Sequence, residues 1–200
     1  MAKRAQRLAW TAMTAAAMVM AASTAHAEPQ RRVVVRIRYA DTPTPMQLAA
    51  FEVAKMDAAA IYANAGISLE WSDEAAPAAD AGVIYLTAQV VSDARAVRLM
   101  RTNPDLPKSV LGVAPLHTGR VYLFWDRIVR YANQWNVHTP RVLGRVLAHE
   151  IGHHLLPAKG HSSAGLMRAS LNYEVAQAPT FTQAQVEEVR SFLSTAAHGS

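Results

Sequence analysis

The stretch VLGRVLAHEIGHHLLPAKGHSSAGLM, Val142 to Met167, holds four of the chain's eight histidines, and the reading of the whole molecule turns on it. Val142, Leu143, Val146, Leu147, Ile151 and Leu155 recur at the spacing of one face of an α-helix. Thr139 is placed to cap that helix, Pro140 suits its first position, and Pro157 ends it. Five residues within it, His149-Glu150-Ile151-Gly152-His153, read H-E-x-x-H.

On a helix, positions i and i+4 stack one turn apart on one face, so the imidazoles of His149 and His153 reach a common point. That is half of a zinc site. Glu150 borders the same face, where its carboxylate can reach a water activated by the metal and act as general base. By chance alone, an H-E-x-x-H in a chain of this composition has a probability of roughly 1 in 100. Two imidazoles on a partly buried face also need partners. A metal ion supplies one for both.

A catalytic zinc usually takes three protein ligands and keeps one position open. The third candidate is His161, which lies beyond Pro157 and directly after Gly160, where the chain can turn back. His154 points about 100° away from His153 and is expected at the surface or behind the ligands. His117 falls in a turn, His138 precedes the helix cap, His198 is near the C-terminus, and His26 belongs to an N-terminal signal; none of these reads as a ligand.

H-E-x-x-H, a glycine-assisted turn, a third histidine and then a methionine in Ser163-Ala164-Gly165-Leu166-Met167 together resemble the metzincin zinc peptidases, the matrixin-like branch above all. The stretch is also similar to a group of bacterial exported proteins with an HEIGHLLL-like motif. The metzincin resemblance implies His149, His153 and His161 as zinc ligands, Glu150 as general base, and Met167 as the floor beneath the metal. It implies a zincin-like α+β single domain, with a twisted, mostly parallel sheet, an antiparallel edge strand, an active-site helix and a C-terminal helix. The chain departs from the family pattern at two points: Leu156 stands where a glycine follows the second histidine, and His161 comes eight residues after His153 instead of six. Glu174 is the alternative third ligand, by analogy with the gluzincins. Met167 also reads as a plain core methionine, and Tyr173 as a rim residue or, by the resemblance, an oxyanion donor.

The remaining sequence sets the setting. Met1 to Ala27 reads as a secretory signal: Lys3, Arg4 and Arg7, then an apolar run from Leu8 to Ala22, then Ala25-His26-Ala27 before the cleavage point. Residues 28–200 then form one catalytic domain, secreted or periplasmic, with no stable membrane anchor once the signal is removed. Only Glu28 to Arg32 separates the signal from the first strand, so no sizeable propeptide is expected. The signal carries three of the 20 Lys+Arg and none of the 15 Asp+Glu, which leaves 17 against 15, a net charge of +2. With no basic cluster interleaved with aromatics, no nucleic-acid partner is expected. The chain contains no cysteine, which excludes a disulfide framework, a thiolate ligand and a cysteine nucleophile.

Along the chain, Val33–Tyr39 reads as a strand with Arg36 and Arg38 on its solvated side, Met46–Ala65 as a helix, and Ile67–Trp71 as a strand parallel to the first. Gly82–Val91 is a third strand and Asp93–Arg101 a short helix. VLGVAPL and RVYLFW are two β segments around a turn, followed by a helical DRIVRYANQW. Arg120 to Asp126 reads either as the edge strand lining a peptide cleft or as an interior strand. Thr182 to Ala197 is a last helix with Gln185 at the capping-box position. The expected function is that of a zinc-dependent endopeptidase acting on a peptide or protein substrate. The alternative is a zinc-binding scaffold of the same fold with weak or no turnover.

Overall fold

Strand β1 (Arg32–Tyr39) alternates sides: Val33, Val35, Ile37 and Tyr39 enter the main core, while Arg32, Arg36 and Arg38 lie on the other face. This is the period-2 pattern of a half-buried strand. The computed structural model describes residues 32–74, 83–101, 109–156, 160–170 and 180–196. The segment read as a signal, Met1 to Ala27, lies outside these residues, as do Tyr173 and Glu174.

Helix α1 (Pro45–Ala63) follows β1. Its start carries a capping box that sequence reading did not single out: Thr44 Oγ1 accepts from Gln47 N–H, and Gln47 Oε1 accepts from Thr44 N–H. Strand β2 (Ser68–Ser72) returns parallel to β1, as expected, one residue later than its sequence reading. Strand β3 (Val83–Val91) pairs parallel on the other side of β1, and helix α2 (Asp93–Arg101) follows. The short strand β4 (Gly112–Val113) runs antiparallel to β5 (Arg120–Phe124), which is parallel to β3. The sheet order is therefore β2-β1-β3-β5-β4, four parallel strands and an antiparallel edge.

That order settles the reading of Arg120 to Asp126. Strand β5 lies inside the sheet, with Val121 and Leu123 wholly buried, and β4 is the edge. The strand also stops earlier than the RVYLFW segment, because Trp125 and Asp126 open helix α3 (Trp125–Gln134).

Helix α4 (Thr139–Leu155) carries the H-E-x-x-H. Its N-cap is His138 and not Thr139, since the first helical hydrogen bonds, from Arg141 and Val142, end on the His138 carbonyl. Helices α1 and α4 pack against each other and share one core with the inward faces of β1, β3 and β5. Gly144 permits that contact: a Cβ there would lie 2.9 Å from Asp57 Cβ and 3.0 Å from the Ala54 carbonyl oxygen. Helix α5 (Gln183–Ala196) closes the described chain and contributes Val189 and Leu193 to the same core. Among the described residues no helix is long and apolar enough to cross a membrane.

Candidate metal centre

The last turns of α4 place His149 and His153 where the periodicity predicts. His149 is buried, His153 is partly exposed, and their Nε2 atoms are 3.2 Å apart. Beyond the helix the chain doubles back, and His161 joins them. The centroids of the three rings lie 4.8, 5.0 and 5.3 Å apart. One nitrogen from each lies within 4.8 Å of the others.

The first pair fits a metal ion closely. Two nitrogens each about 2.05 Å from a tetrahedral zinc stand about 3.3 Å apart, and His149 and His153 already hold 3.2 Å. The tautomer of His149 is set as well, because its Nδ1–H donates to the Leu166 carbonyl at 2.8 Å and so leaves the Nε2 lone pair facing inward. That lone pair can receive a proton from His153 or a cation. Burial lowers the His149 pKa, and burial, then the neighbouring His149, pushes His153 down to about 4. At neutral pH both are therefore the neutral imidazoles that a metal requires. With no cysteine in the chain, the all-imidazole donor set suits zinc and other borderline divalent ions.

Glu150 sits beside this cluster and is almost wholly buried, which raises its pKa to about 8. Its neighbour across the site is Gly112 of the edge strand. A Cβ at Gly112 would come 2.8 Å from Glu150 Cγ, 2.9 Å from Oε1 and 3.0 Å from the Tyr122 carbonyl oxygen. Only a bare backbone lets the carboxyl seat there. Sequence reading had passed over Gly112, whose one signal was a glycine in an otherwise apolar β segment.

Met167 lies under α4. A Cβ at Gly152, the fourth residue of the motif, would fall 2.5 Å from Met167 Sδ. The methionine is wholly buried, in the core cluster as well as beneath the histidine helix. The turn that carries it is tight: Ser162 N–H donates to the Met167 carbonyl, Ser162 and Arg168 form a bridge, and Gly165 takes φ +70°. On the same side of α4, Tyr62 donates a buried hydrogen bond of 2.9 Å to the carbonyl of Ala148, the residue before His149, and its hydroxyl would lie 3.7 Å from a Cβ at Gly152.

The other described histidines, His117, His138 and His154, fall outside the cluster, while His26 and His198 lie outside the described residues. His154 donates from Nε2 to the Arg120 carbonyl at 2.8 Å and ties α4 to the start of β5. His117 occupies a turn with φ +62°, and His138 caps α4.

No protein-family profile matches the sequence, and no curated protein is similar to it. Solved structures show a distant likeness. A solution structure from Thermotoga maritima is 12% identical, over 82% of this chain and 88% of that one, with a TM-score of 0.39. The crystal structure of a zinc-dependent peptidase from Methanocorpusculum labreanum is 11% identical, over 78% of this chain and 99% of that one, with a TM-score of 0.48. Likenesses this distant leave the chemistry to the residues themselves.

Proposed function

We propose that this chain is an exported zinc-dependent endopeptidase of the metzincin type, cleaving a peptide or protein substrate. The observation that carries the reading is the convergence of three imidazoles, two of them at tetrahedral spacing, beside one carboxyl group. His149, His153 and His161 hold the ion. A zinc ion there would activate a water, polarise the scissile carbonyl, and by its charge favour the ionised form of Glu150. Glu150 takes the proton of the attacking water and hands it to the leaving amine. The peptide lies along β4, whose outer edge carries no partner strand among the described residues and can accept an added strand. The N-terminal signal is proposed to direct the chain to the periplasm or the medium, which suits a hydrolase of external peptides.

The zinc-binding scaffold without turnover remains the second reading, favoured by the deep burial of Glu150, which keeps its carboxyl protonated unless a cation lies close. Glu150→Gln separates the two. The peptidase reading expects hydrolysis of a peptide library by the wild type, falling 10²- to 10⁴-fold in the variant with the zinc content unchanged. A wild type that binds zinc and leaves the library uncut supports the scaffold.

A further inference from the structure

Two of the three candidate ligands stand on a helix that the core holds rigidly. The third does not. His161 lies on an exposed turn, and its ring makes no hydrogen bond among the described residues. Its nitrogen lies within 4.8 Å of theirs. What sets its position is the backbone of the turn from Ser162 to Arg168.

That turn is held from outside by one side chain. Gln185, in the first turn of α5, is buried. Its Oε1 accepts from Thr182 N–H at 2.9 Å, and its own N–H donates to Thr182 Oγ1 at 3.3 Å, which completes a capping box. A capping-box residue needs only its oxygen for this, and a glutamate serves as well as a glutamine. Here the amide nitrogen has separate work. Gln185 Nε2 donates to Ser162 Oγ at 2.9 Å and to the Ala164 carbonyl at 3.2 Å, while Ser162 Oγ itself donates to Ala164 at 2.7 Å. Gly165 completes the fit, since a Cβ on it would lie 2.7 Å from Gln185 Oε1. A second strap runs from Leu166 N–H to the Thr180 carbonyl, just ahead of the same helix start.

We infer that Gln185 is a positioning residue for the metal centre: its side-chain amide locks the Ser162–Ala164 turn and so fixes His161 as third ligand, apart from its role in capping α5. The inference rests on the zinc reading above. It extends the metal site to the C-terminal helix, more than twenty residues beyond the last ligand.

The test compares zinc affinity, measured by competition with a chromophoric chelator, with the melting temperature of the zinc-free full chain. Gln185→Glu keeps the capping acceptor and deletes both donations to the turn. Thr182→Ala removes the other half of the cap and leaves those donations in place. The expected result is a zinc affinity about tenfold lower for Gln185→Glu, the low end of what outer partners of ligands contribute. Thr182→Ala should lower the melting temperature with affinity kept within twofold. Ser162→Ala, a small change on the turn itself, should weaken zinc binding in the same direction if Gln185→Glu folds poorly. Affinities that simply follow melting temperature across the three variants would overturn the positioning role. A wild type that binds no zinc would instead overturn the metal reading beneath it.

Discussion

At the scale of single residues, the Glu150 carboxyl and the Gly112 backbone depend closely on each other. A glycine in a two-residue edge strand is easily taken for a loop residue, yet the carboxyl group stands against its bare backbone. Gly112→Ala should displace the Glu150 carboxyl by a good fraction of an ångström and cost on the order of 10²-fold in turnover with zinc content unchanged; steady-state kinetics and metal analysis of one preparation decide it. Glu150 also makes a stability prediction for the chelator-treated chain. Its folded pKa, about 8, lies above the ordinary 4.5, so the stability it confers is full below pH 4.5 and is lost as pH rises through 8. At pH 7 Glu150→Gln should therefore stabilise the zinc-free chain, by on the order of 3 kcal/mol, in urea unfolding. A loss of stability would contradict the buried, protonated carboxyl. The histidines act in the opposite sense. With folded pKa values below 6.5, the stability of His149 and His153 is present above pH 6.5 and lost as pH falls, for His153 through about 4.

At the scale of elements, what was legible in the sequence was whatever is periodic or local. The alternation of β1, the helical spacing of α4 and the Thr182/Gln185 capping box all reappear in the structure. So does the i, i+4 pairing of His149 and His153, because helix geometry alone determines it. The arrival of His161 beside them also follows the sequence reading, despite the longer spacing after His153. Contacts between distant segments were not legible. Nothing within Arg120 to Asp126 says whether another strand lies outside it, so the interior place of β5 depends on where Gly112 and Val113 dock. The Gln185 amide reaching Ser162 and the Tyr62 hydroxyl reaching Ala148 are of the same kind, joining residues 23 and 86 positions apart. The crossing of α1 and α4 is another such contact and can be tested. Gly144→Ala gains about 1 kcal/mol of helix propensity, but its methyl would press on the Ala54 backbone and Asp57. Overpacking there should win, with a net loss of about 1–2 kcal/mol in thermal or urea unfolding; a more stable variant would show that the two helices have room to separate.

At the scale of the whole molecule, the fold brings three distant parts of the chain to one point. The core face of the sheet and α1 hold α4 rigid, the edge strand β4 walls in Glu150, and the start of α5 grips the returning turn. The candidate centre is thus assembled by tertiary packing, so the metal affinity proposed for it would be coupled to the integrity of the fold. A ligand bound only by the folded chain raises its stability, by about 4 kcal/mol at a thousandfold excess over Kd. Zinc should accordingly raise the melting temperature of the wild type, and chelation should lower it. The most direct measurement is the metal content of the purified chain, wild type beside His161→Ala. One zinc per wild-type chain is expected, and little or none in the variant. A wild type without bound zinc, or a variant that keeps its full complement, would contradict the three-imidazole centre.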